Sequence, residues 1–179
     1  MSDPIVIAPA TFADAPAIAE IYAHHVLHGT ATFELVPPDA AEMAARIGRI
    51  VDAGWPWLVA HDANGEVVGY AYAGQMAPRA AYRFACETSI YLRHDRLGQG
   101  IGSALLAALI EAATAAGFRQ AVALIAGTRS ASVALHARAG FVETGRLRSV
   151  GRKHGEWLDL LYMQRPLGEG DTTPPEVAR

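Results

Sequence analysis

The sequence predicts an α/β (α+β) domain, and three observations carry that prediction. Of its 179 residues, 51% are hydrophobic and 18% charged, a balance that builds one proper core and excludes disordered, collagenous and coiled-coil chains. Apolar residues recur with a period near 3.6 in some segments and in short strand-like runs in others, so helices and strands alternate along the chain. Between a strand-like run ending at Leu92 and an apolar helical run from Ile101 lies a turn with three alternate glycines, and the wholly apolar AVALIA (121–126) follows. That order makes a parallel βαβ unit.

The elements follow in order. Residues 4–8 (PIVIA) suggest a strand, after which Asp14 and Pro16 signal a helix start. Ile18, Ile21, Tyr22, His25 and Val26 share one face of that helix, and His28-Gly29 closes it. A second helix begins at Asp39 as N-cap, with Glu42 completing an acidic capping box, and runs to Gly54. Residues 57–61 and 67–73 read as strands joined through Asp62-Ala63-Asn64-Gly65, a strong hairpin signal. The strand 88–92 leads through the glycine turn into a helix over 101–116, which Gly117 ends. A shorter helix at 132–139 precedes strands at 141–146 and 157–164. Residues 1–167 form a single domain on this reading, and the proline-containing tail 168–179 is expected to be disordered.

Composition narrows the function classes. No apolar run approaches the ~18 to 20 residues needed to cross a bilayer, and the N-terminus lacks the pattern of a signal peptide. The expectation is a cytoplasmic protein that does not engage membranes. The lone Cys86 supplies neither a disulfide nor a cysteine-rich metal site. A net charge of −3 argues against a nucleic-acid partner.

The chemistry concentrates in the stretch from Ser89 to Leu106. Glycines at 98, 100 and 102 permit a tight turn and present consecutive N–H groups at a helix N-terminus, a site for phosphate. No Gly-Lys-Ser/Thr exists anywhere in the chain, which excludes a Walker loop. The glycine spacing is G-x-G-x-G rather than G-x-G-x-x-G, and the next strand ends without an acidic residue, so a dinucleotide fingerprint fits no better.

The turn resembles the acyl-CoA pyrophosphate loop of the GNAT N-acetyltransferases, with Gly100 and Gly102 at its glycines. The resemblance extends from Ile5 to Leu167 and is closest to the phosphinothricin acetyltransferase-like group. Its landmarks are Ile21-Tyr22, Thr30-Ala31-Thr32-Phe33, Tyr70-Ala71-Tyr72-Ala73, Arg79 with Ala81-Tyr82, Glu87, His136 with Gly140-Phe141, and Lys153-His154-Gly155-Glu156-Trp157. It implies a GNAT fold: a central mixed, mostly antiparallel sheet with flanking helices and an acyl-CoA-binding βαβ unit. It also implies acetyl-CoA as co-substrate, a small-molecule amine as acceptor and a homodimer. Two positions depart from the pattern: Leu97 replaces the usual Arg or Gln, and Arg129 replaces an Asn that often contacts CoA. Arg96 or Gln99 is the expected substitute for the first.

Acetyl transfer to an amine requires removal of a proton from the ammonium, stabilisation of a tetrahedral oxyanion and protonation of the leaving thiolate. By residue type alone Glu87 is as readily an exposed strand-end charge as a base, and a lone helical histidine such as His136 is more often structural. The resemblance makes Glu87 the base and places His136 where many relatives carry the tyrosine that protonates the thiolate. It further implies that the backbone of Gly98, Gln99, Gly100, Ile101, Gly102 and Ser103 holds the pyrophosphate. Ile90, Tyr91 and Leu92 would pair with pantetheine, and Arg129 and Ser132 would complete the cofactor contacts. Phe33, Arg79 and Tyr82 would form the acceptor pocket, with the Arg79 guanidinium suited to a carboxylate and Arg83 left as a solvated loop charge. His24 and His28, four apart on one helix, lack a third ligand, so no metal site is predicted; with His25 they are expected to line the acceptor mouth.

The leading reading is an acetyl-CoA-dependent N-acetyltransferase acting on a small amino acid or an analogue such as phosphinothricin, methionine sulfone or methionine sulfoximine. The alternatives are a protein or peptide N-acetyltransferase and a catalytically silent CoA-binding module; the pairing of Glu87 with His136 speaks against the silent module.

Overall fold

A computed structural model describes residues 4–127 and 131–175. Seven strands form one sheet in the order β1-β2-β3-β4-β5-β7-β6. They are β1 (Val6–Pro9), β2 (Trp57–His61), β3 (Val67–Gln75), β4 (Ala85–Leu92), β5 (Gln120–Ala126), β6 (Val142–Lys153) and β7 (Glu156–Pro166). All neighbours run antiparallel except β4 and β5, which are parallel. The expected mixed, mostly antiparallel sheet is therefore present, with its single parallel step where the βαβ unit predicts it.

Four helices cover the sheet: α1 (Ala15–His28), α2 (Ala40–Asp52), α3 (Ile101–Ala115) and α4 (Ala131–Arg138). Pro16 stands in the first turn of α1, where its missing N–H costs nothing. Asp39 caps α2 by accepting from the Glu42 N–H; the Glu42 carboxylate turns away to Arg46 and Arg49, so the capping box is only half formed. Two cores result. Leu105, Leu106 and Leu109 of α3 are fully buried against the face carrying Ala71, Ala73, Cys86 and Ala121, each contributing roughly 1.5–3 kcal/mol. Ile18 and Val26 of α1 and Met43 and Ile47 of α2 pack on the opposite face over Trp57, Val59 and Tyr70.

Three differences from the sequence reading exceed two residues. β4 starts at Ala85, not Thr88, because the parallel register with β5 begins at the Ala85–Gln120 pair. β6 continues to Lys153, seven residues past Arg146, because its register shifts between Leu147 and Gly151 and resumes; Ser149 there has φ 54° and its N–H donates to Asp159 Oδ1 at 2.9 Å. Residues 168–175 of the tail expected to be disordered are bonded to Arg119, just before β5. Arg119 pairs with Glu169 at 3.3 Å and donates to Thr173 Oγ1 at 2.9 Å, contacts that charge and hydropathy patterns do not foretell.

Candidate active site

The site begins with a parting of two strands. β4 pairs with β5 from Ala85–Gln120 to Thr88–Ala123, yet β4 runs on to Leu92 and β5 to Ala126. On its other edge β4 stays paired with β3 as far as Gly69–Leu92. The Arg93 N–H donates to the Val68 carbonyl, and main-chain groups alternate sides along a strand. Ile90 and Leu92 therefore turn their N–H and C=O groups toward the opening, while Tyr91 turns its own toward β3 and its ring into the α1 core. Of the three residues expected to pair with pantetheine, Tyr91 is thus corrected: its backbone is committed to the β3 edge.

The opening is tied to α1. His25 Nε2–H donates to the Leu92 carbonyl at 2.8 Å, and its ring packs 5.4 Å from that of Tyr91. Burial holds the His25 imidazole below its ordinary pKa, opposed by that hydrogen bond.

Above the opening lies the glycine turn. Gly98 and Gly100 have φ of 75° and 82°, values that a side chain makes costly. A Cβ on either meets nothing within 4 Å, so these glycines serve backbone conformation and open space rather than packing. Gly102 instead lies against Leu92 and Leu135, its would-be Cβ 3.4 Å from each, which seats α3 close on β4. The Ser103 N–H already donates to the Gly100 carbonyl at 3.1 Å, leaving its exposed hydroxyl as its available donor. Ile101 buries its side chain, so only its amide faces the turn. Arg96 is not the substitute for the residue missing at 97: it is bonded to the buried Asp62 in the β2–β3 turn at 2.8 Å. Gln99 stays exposed beside the turn. Arg129 lies outside the described residues.

Glu87 and His136 stand on opposite faces of the sheet. Side chains alternate along β4, so with Cys86 in the α3 core, Glu87 shares the α1/α2 face with Ser89 and Tyr91. Burial raises the Glu87 carboxyl above its ordinary value, and no side chain among the described residues opposes the shift. His136 is 2% exposed on α4, edge-on to Phe141 at 5.0 Å. Its Nδ1–H donates to the Ser132 carbonyl at 2.8 Å, and its Nε2 is buried with no hydrogen-bond partner among the described residues. Burial lowers its pKa. Such an imidazole is neutral at neutral pH, with a bare nitrogen lone pair.

The residues expected at the acceptor pocket lie on two separate segments. Arg79 precedes a short turn at Ala80–Tyr82 that Gln75 braces through the carbonyls of Ala77 and Arg79. Arg79 and Tyr82 are exposed, whereas the Arg83 guanidinium covers the Phe84 ring at 4.4 Å. Phe33 is half-exposed and lies on Gly151 of β6. His24 and His28, expected at the acceptor mouth, lie on the outer side of α1. They line a groove of about 700 Å³ with Glu66, Arg93 and His94, and His24 stacks on His94 at 4.0 Å. No group of three metal-ligating side chains occurs among the described residues.

One network escaped the sequence reading. Tyr22 Oη lies 2.7 Å from Thr32 Oγ1 and donates to Glu34 at 2.9 Å, and Arg46 closes on Glu34 at 2.7 Å. Burial raises the Tyr22 phenol to about 12. Tyr22, Thr32 and Glu34 come from two segments with no local spacing in common; only the landmark pairing of Ile21-Tyr22 with Thr30 to Phe33 hinted at them.

A parted parallel strand pair beneath a glycine-rich helix N-terminus is a cradle for an acyl thioester carrier, and the sequence comparisons decide which family uses it here. A family model for the acetyltransferase (GNAT) domain matches residues 7–162. The chain belongs to the GNAT acetyltransferase family. Among the relatives of this GNAT domain is a phosphinothricin N-acetyltransferase of Alcaligenes faecalis, 52% identical over 164 residues, or 91% of this chain and 83% of the relative. An L-methionine sulfoximine/L-methionine sulfone acetyltransferase of Pseudomonas aeruginosa is 42% identical over 94% of this chain and 98% of its own. The crystal structure of a GNAT superfamily phosphinothricin acetyltransferase from Sinorhizobium meliloti, in complex with acetyl-CoA, superposes with a TM-score of 0.94 at 48% identity, covering 98% of this chain and 94% of the other. This GNAT protein is an N-acetyltransferase, and its co-substrate is acetyl-CoA.

Proposed function

We propose that this enzyme acetylates the α-amino group of a small amino acid or amino-acid analogue of the phosphinothricin, methionine sulfone or methionine sulfoximine type. The observation that carries the reading is a half-buried carboxylate, Glu87, with its pKa raised, next to the free edge of β4. The names of the relatives point to the same acceptors.

The backbone amides of Gly98 to Gly102 and the Ser103 hydroxyl hold the pyrophosphate, and the Ile90 and Leu92 edge pairs with pantetheine, as a strand adds to a sheet. Ser132, in the first turn of α4, contributes to the same cofactor surface. Glu87, on the α1/α2 face, takes a proton from the acceptor ammonium. The free amine nitrogen attacks the thioester carbonyl carbon, the C–S bond breaks, and CoA leaves as a thiolate that is reprotonated to the thiol. His136 stands on α4, on the other face of the sheet, so we assign it to the thiolate rather than the amine. Neutral and protonated at Nδ1, it takes up at Nε2 the proton that the attacking nitrogen loses after the C–N bond forms and passes that proton to the departing thiolate.

Arg79 recognises the acceptor carboxylate through its paired donors, and Phe33 and Tyr82 wall a short side chain. Acetyl-CoA is drawn from the cytoplasm, where we place the enzyme; its net charge of −3 speaks against a nucleic-acid partner, and we assign it no membrane partner, no described helix being long and apolar enough to cross one. A second copy covers the edge strand β6, whose Val142, Leu147 and Val150 are exposed, together with Trp157 of β7. Free-thiol release from acetyl-CoA across a panel of amines tests the reading. Amidation of the acceptor carboxylate should weaken catalysis strongly in the wild type and much less in Arg79→Ala. Equal activity on acid and amide in the wild type would redirect the search to peptide acceptors.

A further inference from the structure

The chain contains fifteen Lys and Arg residues, and only one, Lys153, is a lysine. It is also buried, at 4% exposure. Fourteen cationic positions use arginine, and the exception is the one where a planar guanidinium would need room that a compact ammonium does not. What Lys153 does there is specific. Its Nζ donates to the Thr32 carbonyl at 2.8 Å and to the His25 carbonyl at 3.4 Å. Neither acceptor is a carboxylate, so the ammonium is satisfied by main-chain oxygens: one near the C-terminal end of α1, where the helix dipole favours a cation, and one in the loop beyond it.

The loop clamped in this way is the one that carries Phe33. Lys153 reaches it from the end of β6, at a hairpin whose turn residues His154 and Gly155 both have positive φ, 51° and 83°, the conformation of a tight two-residue hairpin turn. His154 Nε2–H adds a donation to the Gly29 carbonyl at 3.2 Å. Two residues before the lysine, Gly151 leaves the space that Phe33 fills: a Cβ there would stand 2.6–2.9 Å from three atoms of the ring. Gly151 is not in the left-handed region, so the glycine is required by this contact and not by its backbone. The same loop is bonded through Thr32 to Tyr22, whose ring packs edge-on against Tyr91 of β4 at 5.0 Å.

We infer that Lys153 is a positioning residue for acceptor specificity: its ammonium holds the 29–34 loop against β6, so that Phe33 lies on Gly151 and closes one wall of the acceptor pocket. This rests on the reading of Phe33 as a pocket wall given above. The hairpin β6–β7 thereby sets the width of the pocket without touching the acceptor.

The test is steady-state kinetics with calorimetry of acetyl-CoA binding on Phe33→Ala, Lys153→Met, Gly151→Ala and the double variant Phe33→Ala/Lys153→Met. Lys153→Met should raise the acceptor KM about tenfold or more with kcat changed far less, a loss of uniform acceptor binding. Acetyl-CoA affinity should stay within about twofold of the wild type. Gly151→Ala, which displaces the ring but keeps the ammonium, should move the acceptor KM in the same direction. In the Phe33→Ala background, Lys153→Met should add nothing, because its effect passes through the ring. An acceptor KM unchanged in Lys153→Met, or raised by the same factor with and without Phe33, overturns the proposal. If Lys153→Met does not fold, an unchanged acceptor KM in folded Gly151→Ala overturns it equally. Phe33→Ala alone leaving the acceptor KM unchanged would instead refute the pocket assignment, and the proposal with it.

Discussion

His25 Nε2 lies 2.8 Å from the carbonyl oxygen of Leu92, joining α1 to the part of β4 that has separated from β5. An exposed strand edge is a polar surface seeking partners, and this contact satisfies one carbonyl while leaving the Leu92 N–H and both Ile90 groups toward the opening. His25→Phe keeps the ring and removes the donor. It should cost about 1 kcal/mol of stability and raise the KM for acetyl-CoA more than that for the acceptor, as initial-rate measurements with each substrate varied would show.

Glu87→Gln should lower turnover by roughly 100- to 10,000-fold, the span of a lost general base, with acetyl-CoA binding preserved. The same change should stabilise the fold. Burial raises the Glu87 pKa above its ordinary 4.5, so the folded state binds its proton more tightly than the unfolded state does. Its ionisation then removes stability as pH rises through that raised value. Thermal melts at pH 5 and pH 8 should therefore show Gln gaining over Glu mainly at the higher pH.

His136 carries the opposite sign. Its pKa lies below the ordinary 6.5, so the folded state resists protonation and stability falls as pH drops from 6.5 toward the lowered value. His136→Asn should flatten that acid-side loss in a series of melts. In the wild type, kcat/KM should rise with pH on the acid side as Glu87 and His136 lose their protons.

Gly100→Val should fold with only a modest loss, about 1–2 kcal/mol for a side chain in the left-handed region, because no atom stands within 4 Å of its Cβ position. Its effect should fall on the ligand. Isothermal calorimetry should show acetyl-CoA affinity reduced at least tenfold, the added branch filling the space above the α3 amides. Unchanged affinity would remove the turn from the site.

Local pattern sufficed for much of this protein. Pro16, the Asp39 cap, Asn64-Gly65 and the three alternate glycines act through neighbours a few residues away, so α1, α2, the β2–β3 hairpin and the βαβ unit could be read directly from the chain. Glu87 and His136 were identifiable as candidates by resemblance, but residue type alone did not distinguish their chemistry from an exposed charge and a structural histidine. Packing adds what residue type does not: burial raises the Glu87 pKa and lowers that of His136, and burial depends on which elements close over a residue, not on its neighbours in sequence. The same holds for Arg96, taken by Asp62 from the hairpin 34 positions away, for Tyr91, whose backbone is spent on β3, and for Lys153, which meets Thr32 across 121 residues. Hydrogen bonds and ion pairs of that separation leave no periodic trace, because each is set by sheet register and helix placement. Short-range pattern is enough for the elements and, with the family resemblance, for the candidate chemistry, whereas which polar groups are already paired depends on contacts between distant parts of the chain.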